Sequence, residues 1–509
     1  MELSLAEFIP AGNSYQAVTA ALVFGAAFLL FYEVFRLWFP KYKRPPGPTS
    51  LPLIGSLQFF IDPMRTFLQM KEKYGDISCI FLGRKPVILL NEFGIMKDVL
   101  IHSGAEFAGR PEMAVIELIT HGLGIVMAPY GIPWKQQRKF ALQTLRNFGL
   151  GKKSLEERIS EEAMFLIEEL QKESGKAFNP HSTINNAVSN IICSIVFGNR
   201  FDYDDEKFKY LLRLVNFNVQ NVGSPAAQLF ELFPILRHFP GPHQKILRNA
   251  DEILEFVQQS VNEHRKTLDP DNLRDFVDAY IVEIEKQRSN PAFMFTDENL
   301  IITIGDLFLA GSDTTTTTVR WGLLYMTQHP EIQEKCFQEI ISKVGFNRLP
   351  SYEDRINLPF VEATINEIQR MGNIAPFGVP REVTKDTELR GYFLPKGTQV
   401  FINLSSVFYD KSIWKFPDQF NPENFLDDEG NFYRPELFIP FSAGMRMCPG
   451  EQLARVELFI FFSSLLQHLK FCWPDGASPP DLEGIVGLSH SPKPFKLLCQ
   501  TRDWKKTPQ

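Results

Sequence analysis

One short segment of this 509-residue chain, residues 440–450, combines a cysteine with the residue types that hold a bound group. It reads Pro-Phe-Ser-Ala-Gly-Met-Arg-Met-Cys-Pro-Gly, and a helical pattern follows over residues 451–469. Cys448 is therefore predicted to lie just before a helix N-terminus, where free amides and the helix dipole favour a thiolate. A lone cysteine is more often a small buried apolar residue, so its neighbours have to decide between the two interpretations.

Those neighbours favour a ligand. Gly444 and Gly450 would let the backbone approach a flat, bulky partner closely, and Arg446 would pair with an anionic group on that partner. The chemistry that this predicts is thiolate ligation of a large planar cofactor.

A second candidate site lies in the middle of a long predicted helix. Thr296 begins a typical helix start and His329-Pro330 a typical stop, and about 32 residues between them would span roughly 50 Å. The middle reads Ala-Gly-Ser-Asp-Thr-Thr from residue 310, a poor helix sequence whose hydroxyls can bond carbonyls of the preceding turn and open the helix locally. Asp313 beside Thr314 is an acid next to an alcohol, which can pass protons to a group bound against the helix. A polar stripe on a packing face is the alternative.

These segments resemble the cytochrome P450 family. The pattern from Phe441 to Gly450 is similar to its haem-binding signature, with Cys448 as the axial thiolate, and residues 310–315 are similar to its oxygen-activation motif. Glu367 and Arg370 match its Glu-x-x-Arg core pair, although taken alone they would be an ordinary surface ion pair at i,i+3. The three motifs occur in the family's order, and the resemblance covers essentially the whole chain.

Within the family the chain is most similar to vertebrate microsomal family two. Typical phrases are Thr-Leu-Arg-Asn-Phe-Gly at 144–149, Phe-Asp-Tyr at 201–203 and Pro-Lys-Gly-Thr at 395–398. Residues 371–374 and 379–383 are closest to its fatty-acid (arachidonate) epoxygenase branch. The resemblance implies a mainly α fold with small β-sheets, the cytochrome P450 fold, and an N-terminal single-pass membrane helix.

The resemblance also implies haem b as cofactor and a set of residues around it. Cations and donors for the haem propionates would come from Arg110, Trp134, Arg138, Arg381 and Arg446; the other cofactor contacts would be Ala310, Phe441, Gly444, Cys448 and Gly450. Trp134 and Arg138 lie at i,i+4, so a simple stacking pair is the alternative for them.

Two positions depart from the family pattern. Met445 stands at a usually basic position and removes positive charge from the side expected to face a reductase, and Asn424 replaces an arginine that many families pair with Glu-x-x-Arg. The second departure puts the strength of that network in doubt.

The substrate pocket that the resemblance implies is mostly apolar. It would draw on the loop 112–126, on residues 374–379, and on Asn218, Ile304, Leu307, Ala310, Ile374, Val379 and Leu488. A fatty acid or another lipophilic molecule fits such a lining.

The implied activity is a monooxygenase that inserts one atom of O₂ into polyunsaturated fatty acids or xenobiotics by hydroxylation or epoxidation. Thr314, with Asp313 behind it, would relay the protons. The alternatives are a haem-thiolate isomerase or lyase acting on fatty-acid peroxides, a non-catalytic haem- or steroid-binding membrane protein, and a protein without haem in which Cys448 is structural. NADPH dependence, product formation and the reduced carbon monoxide spectrum distinguish them.

Electrons are expected from a separate NADPH-cytochrome P450 reductase, because no flavin or nicotinamide segment is evident; cytochrome b5 is a second candidate partner. A basic stretch suits docking of an acidic partner, and it consists of Lys135, Arg138, Lys139, Arg146, Lys152 and Lys153. A solvated helix face is the alternative for any one of these residues.

The N-terminus predicts a membrane anchor. No charged residue occurs from Phe8 to Tyr32, and Lys41, Lys43 and Arg44 follow the apolar run. This pattern predicts a span over about residues 15–39 with the body in the cytosol, at the endoplasmic reticulum membrane. A cleaved signal peptide is the alternative, and basic residues after the run argue against it. We expect an anchor at 1–44, a proline-rich hinge at 45–56 and one catalytic domain at 57–509.

Composition sets wider limits. The formal charge of −7 argues against nucleic acid as the main partner. The 6 cysteines are scattered without a CxxC, which favours a reducing compartment, and the 46 phenylalanines predict a large apolar interior. A hairpin is predicted from residues 77–82 and 86–90, an extended segment with a turn at 389–401, and helices over 154–173 and 251–266.

Overall fold

The computed structural model describes residues 11–149, 153–289 and 294–502. Its helices α1 to α17 are, in chain order, Ala11–Trp38, Leu57–Ile61, Pro63–Tyr74, Phe93–Lys97, Ala114–Thr120, Ile132–Asn147, Lys153–Lys172, His181–Val196, Glu206–Val222, Pro225–Leu232, Pro242–Thr267, Phe276–Gln287, Asp297–Gln328, Pro330–Lys343, Pro359–Gly372, Ser405–Phe408 and Glu451–His468. Its strands β1 to β10 are Ile77–Leu82, Lys85–Leu90, Arg381–Glu382, Thr387–Leu389, Tyr392–Leu394, Gln399–Ile402, Leu469–Cys472, Ile485–Val486, His490–Ser491 and Leu498–Thr501. The described chain is thus mainly helical with small sheets.

The predicted long helix is α13. The Thr296 hydroxyl caps its first turn by accepting a hydrogen bond of 3.1 Å from the backbone N–H of Asn299, and the helix runs for 32 residues to Gln328. It stays α-helical through residues 310–318, so the local opening that the threonine run suggested does not occur. The Thr314 hydroxyl does donate to the Ala310 carbonyl, at 2.7 Å, as that prediction required.

The other helix predictions are confirmed apart from one boundary. Helices α7 and α17 begin and end within one residue of the predicted limits. Helix α11 begins at Pro242, nine residues before the predicted start at Asp251. Proline fits the first helical position because no intrahelical partner exists there for an N–H, and the buried stripe already includes Ile246 and Ala250.

The predicted hairpin is confirmed as β1 and β2, which pair antiparallel from Ile77 opposite Leu90. Strand β6 lies parallel to β2, and β3 lies antiparallel to β6, which gives the order β1-β2-β6-β3. The extended segment predicted at 389–401 turns after Pro395 as expected, where the Thr398 N–H donates to the Pro395 carbonyl at 3.0 Å. It is divided a second time, because Arg390 and Gly391 both adopt positive φ and close a separate hairpin of β4 and β5. Arg381 lies on the short strand β3, opposite Val400 of the neighbouring strand.

The main apolar core surrounds α13. Helices α8, α11 and α17 pack against α13, and Trp321, Phe308 and Phe461 lie among its buried residues. A second cluster lies beside the sheet and includes the tilted and edge-on rings of Phe408, Phe425, Phe438 and Trp414. Burying a phenylalanine side chain contributes roughly 1.5–3 kcal/mol, so the abundant phenylalanines do form the large apolar interior that was predicted.

Helix α1 contains one stretch, Gln16–Trp38, that is long and apolar enough to cross a membrane by length and composition. Its last turns contact the body. Glu33 is 3% exposed and pairs with Arg36 at 2.9 Å and with Arg84 at 2.5 Å, and Arg36 also donates to the Arg84 carbonyl. Arg84 lies in the turn between β1 and β2, so the pair joins the helix to the four-stranded sheet.

The proline-rich segment after α1 lies along β1. The backbone N–H of Cys79 donates to the Pro46 carbonyl at 2.9 Å, and a Cβ on Gly47 would lie 1.8 Å from the Cys79 carbonyl oxygen. Only glycine allows that approach, and the segment is therefore packed against the body rather than free. The domain limits at 44 and 56 remain predictions.

Candidate functional site

The Cys448 loop is folded by its own backbone. The Cys448 N–H donates to the Phe441 carbonyl at 3.0 Å, and the loop between them passes through Ser442 and Gly444, both at positive φ. A Cβ on Gly444 would lie 1.8 Å from the Leu100 carbonyl oxygen. Gly444 is thus required by a backbone contact inside the protein, a different reason from the cofactor approach that the sequence suggested.

The Cys448 sulfur sits at the N-terminus of α17, as predicted, where the backbone N–H groups of Gly450 and Glu451 donate to it. Burial nevertheless raises the pKa of the thiol above its usual value, and those two amides and Arg138 oppose the rise. The prediction that the helix start alone favours a thiolate is therefore incomplete, because desolvation is the larger effect. A bound metal cation reverses this balance and deprotonates a coordinating thiol.

Four arginines converge next to this loop. Arg110, Arg381 and Arg446 are 8%, 2% and 6% exposed, and Arg138 donates to the backbone carbonyl of Met447 beside the cysteine. Burial lowers the pKa of Arg110 well below its usual value, and the other three guanidinium groups lower it further. Burial, Arg381 and Arg138 likewise lower the pKa of Arg446 to about 9.

Within the described residues none of the four has a carboxylate partner. Arg110, Arg138 and Arg446 donate to backbone carbonyls, and Arg381 donates to a carbonyl and to the Ser442 hydroxyl. Buried like charges without counter-ions are costly, so the cluster calls for anions from outside the chain. Two carboxylates on one rigid molecule would supply them, and the haem propionates implied by the sequence fit this donor set.

Trp134 belongs to the same cluster. Its indole N–H donates to the Ile125 carbonyl at 3.1 Å, and the Arg446 guanidinium lies 3.8 Å from the ring centroid. Arg138 lies 5.7 Å from that centroid, so the stacking pair at i,i+4 is present as well. The two interpretations of Trp134 and Arg138 do not exclude each other.

One turn of α13 borders open space. Ala310 and Thr314 are exposed, whereas Thr315 to Thr327 of the same helix are buried. Asp313 lies about 100° around the helix from Thr314, and burial raises its pKa while the Ser489 hydroxyl and Arg320 oppose the rise. The acid and the alcohol are therefore adjacent but face different surroundings.

The Glu367–Arg370 pair is buried and not a surface pair. Both side chains are fully buried, and two N–H groups of Arg370 each donate to the Glu367 carboxylate at 2.7 Å. Asn424 donates its side-chain amide to the same carboxylate at 3.1 Å, and the Asn421 backbone N–H donates at 2.8 Å. The asparagine at the departing position therefore takes part in the network.

Sequence reasoning missed two acids, the half-buried Asp306 and the buried Glu457. Asp306 accepts the backbone N–H groups of Ile125 and Val126 at 2.7 and 2.9 Å, which fixes the end of the loop 112–126 to α13; burial raises its pKa to about 6. Glu457 of α17 is 2% exposed and hydrogen-bonded to Thr315, and burial raises its pKa to about 8. The signal in both cases was an acid inside a strongly apolar run of a long helix.

The predicted substrate residues have mixed surroundings. Ile304 and Leu307 are buried on α13, Ile374 is half-buried, and Val379 and Leu488 are 42% and 51% exposed. The amide of Asn218 joins α9 to α11: its Nδ2 donates to the Ile246 carbonyl, and its oxygen accepts from Asn249. The substrate lining remains a prediction.

Four cations of the predicted docking stretch are exposed, namely Lys135, Lys139, Arg146 and Lys153. Arg138 belongs to the arginine cluster instead, and Lys152 lies outside the described residues. Met445 is exposed at 37%, and its sulfur accepts a hydrogen bond of 3.8 Å from the Tyr130 hydroxyl.

Comparison with known proteins agrees with the motifs. The family model described as "Cytochrome P450" matches residues 45–499. The chain is 46% identical to Cytochrome P450 2J2 of Homo sapiens over 477 residues, which is 93% of this chain and 94% of that protein. It is 47% identical to Cytochrome P450 2J1 of Oryctolagus cuniculus, over 94% of this chain and 96% of the relative. It is 45% identical to Cytochrome P450 2B4 of the same species, over 87% and 90%.

Proposed function

Because this chain belongs to the cytochrome P450 family, whose members bind haem through a cysteine thiolate, we propose that Cys448 is the iron ligand. These relatives confirm the resemblance to family two and the fold class. They also confirm the activity class, which is a reductase-dependent haem-thiolate monooxygenase of lipophilic substrates. When bound, haem supplies the redox chemistry of O₂ activation, and its thiolate ligand favours O–O cleavage.

The observation that carries the residue assignment is the group of buried arginines without counter-ions beside Cys448. Arg110, Arg381 and Arg446 bind the two propionates, Arg138 and Trp134 complete the set, and charge-assisted hydrogen bonds to carboxylates contribute about 1.5–3 kcal/mol each. Phe441, Gly444 and Gly450 shape the loop that presents the sulfur.

Thr314 of α13 would position a proton donor. Its hydroxyl donates to the Ala310 carbonyl and faces open space, so its oxygen would accept a hydrogen bond there and hold the proton that the chemistry supplied by haem consumes. Asp313 resupplies that proton. Glu367 and Arg370 hold the underlying structure and do not contact the reacting atoms.

The substrates that this lining fits are lipophilic, and we assign polyunsaturated fatty acids and apolar xenobiotics to it. The exposed cations Lys135, Lys139 and Arg146 provide a docking face for an acidic flavoprotein reductase, and cytochrome b5 fits the same face. We assign α1 as an anchor in the endoplasmic reticulum membrane, with the body of the enzyme in the cytosol.

The experiment is Thr314→Ala in the purified holoenzyme with reductase and NADPH. Haem binding should be retained, while a larger share of the electrons taken from NADPH appears as hydrogen peroxide and a smaller share as oxygenated product. Thr318→Ala is the matched control, because Thr318 makes the same hydroxyl bond one turn later, at 2.8 Å to the Thr314 carbonyl, and is buried.

Unchanged coupling in Thr314→Ala would remove that residue from the mechanism. Turnover of fatty-acid peroxides without NADPH would instead favour the isomerase or lyase. Metabolite profiling against a panel of polyunsaturated fatty acids and drugs identifies the substrate.

A further inference from the structure

A small cavity lies on the side of α13 that Asp313 faces. It is lined by His181 at the start of α8, by Asn216 and Val219 of α9, by Asp313 and Arg320 of α13, and by Ser489 and Ser491 near the C-terminus. The volume open to the centre of a water molecule is about 10 Å³, close to the smallest space that holds one water.

Among the described residues, three polar atoms of this lining have no hydrogen-bond partner. They are Nδ1 of His181, Nε of Arg320 and Oγ of Ser489, and Arg320 is 4% exposed. A second nitrogen of the Arg320 guanidinium, Nη2, does have a partner: it donates a hydrogen bond of 3.0 Å to the Pro492 carbonyl. A buried polar group without a partner costs about 1–3 kcal/mol, and a water with two to four polar neighbours removes that cost.

The charges of the lining select water over an ion. The Arg320 guanidinium would attract an anion, but the Asp313 carboxyl lines the same space and would repel it. A cation would be attracted by the Asp313 carboxyl but repelled by the Arg320 guanidinium. A neutral molecule that both donates and accepts satisfies Arg320, His181 and Asp313 together, and the volume admits nothing larger than water.

The position of the cavity relates it to catalysis. Asp313 precedes Thr314 in the chain, and the roughly 100° between successive residues of a helix turns its carboxyl toward the cavity while the Thr314 hydroxyl borders the open space. His181 is half-buried and begins α8, so it stands at the boundary between this cavity and solvent.

We propose that this cavity holds an ordered water through which His181 passes protons from solvent to Asp313, a proposal that rests on the role of the Asp313–Thr314 pair given above. The imidazole gives the proton on Nδ1 to the water and takes another on Nε2, while the water gives one proton to the Asp313 carboxylate. Protons alone move here; the electrons come from NADPH through the reductase. Burial and Arg320 lower the pKa of His181 to about 4, which leaves the ring neutral after each transfer.

His181 is thus a positioning and relay residue that does not touch substrate or cofactor. A crystal structure of the holoenzyme at high resolution tests the water directly. We expect one ordered water within hydrogen-bonding distance of Arg320 Nε and His181 Nδ1. An empty cavity, or one filled by a side chain or an ion, would overturn the proposal whatever the activity of the enzyme.

The functional test uses His181→Phe, which fills the space, and His181→Gln, which keeps a polar atom that cannot shuttle a proton. Both should lower kcat about tenfold with an unchanged KM, raise the solvent deuterium isotope effect and divert electrons to peroxide. The matched control is His102→Phe, since the His102 side chain is 62% exposed and, within the part of the chain that the structure describes, bonds only to Asp98.

The outcomes separate the two proposals. If Asp313→Asn lowers kcat and coupling but both His181 variants behave as wild type, the relay is wrong and the proposed function stands. If Asp313→Asn also behaves as wild type, then Asp313 does not supply protons, and the proposed function is wrong on that point before the relay is considered. If His181→Phe lowers kcat, raises KM and lowers thermal stability together, then His181 is merely structural, and the relay is also overturned.

Discussion

The guanidinium of Arg370 and the carboxylate of Glu367 form two hydrogen bonds of 2.7 Å, and neither side chain has exposed surface. Arg370 also donates to four backbone carbonyls of the segment that leads to the Cys448 loop, those of Phe408, Phe416, Pro417 and Gln419. One arginine therefore connects α15 to the irregular segment that leads to the Cys448 loop.

Arg370→Met should destabilise the protein by about 3–5 kcal/mol, because it leaves the Glu367 carboxylate buried without a cation. Denaturant unfolding of the holoenzyme measures the loss. The matched control is Arg288→Met: Arg288 pairs with Glu285 at the same i,i+3 spacing, at 3.4 Å, but both side chains are exposed. We expect a change within about 1 kcal/mol there, and equal effects in the two variants would contradict a structural role for the buried pair.

Cys448→Ser should abolish the thiolate-type Soret band in the reduced carbon monoxide difference spectrum, because an alcohol in this position does not ionise to supply a thiolate. Cys472→Ser is the control, since Cys472 has the same partial exposure and lies on β7, away from the loop. A retained thiolate band in Cys448→Ser would remove Cys448 as the ligand, and loss of the band in the control would point to general damage.

Glu457→Gln should make stability less dependent on pH. The pKa of Glu457 is raised to about 8 in the folded chain, against about 4.3 when unfolded, so the folded state binds more protons between these values. The wild type therefore loses stability as pH rises from about 4.3 to 8, on the order of 4–5 kcal/mol at most, and the variant should not.

Denaturant unfolding at pH 5 and pH 8 measures this difference for wild type and variant. Glu429→Gln, an exposed carboxylate in a turn, should leave the pH dependence as it is in wild type. Parallel pH profiles for wild type and Glu457→Gln would show that Glu457 ionises normally in the folded protein.

Local chemistry made much of this architecture predictable. The Thr296 cap and the His329-Pro330 stop gave the limits of α13 because both act within one turn. The pairing of β6 with β2 was not predictable, because it joins residues more than 300 positions apart and no local pattern encodes that register. The start of α11 was missed because its first turn has no acidic residue and no side-chain cap to mark it, although proline is common at the first helical position.

The candidate site shows the same difference between residues that local motifs identify and residues that only long-range contacts bring together. Cys448, Arg446 and Thr314 could be identified because their motifs are contiguous. The gathering of Arg110 and Arg381 beside Arg446 depends on strand β3 and on a loop far away in sequence, so only the family resemblance indicated it. Asp306 and His181 escaped notice because each matters through a tertiary partner, a backbone amide in one case and a cavity in the other.

The ion pairs of Glu33 with Arg36 and Arg84 determine how the enzyme would meet other molecules if α1 is inserted in a membrane, as proposed. A body that swivelled freely on its anchor would lose rotational freedom at every encounter, and that entropy would weaken each complex. Glu33 joins helix α1 to the sheet before any partner binds. The entropy of orienting the body relative to α1 is therefore lost only once, during folding. With α1 in a membrane, as proposed, encounters with the proposed reductase would then reduce to lateral diffusion and rotation within the plane of the membrane, with the proposed docking face at a fixed height.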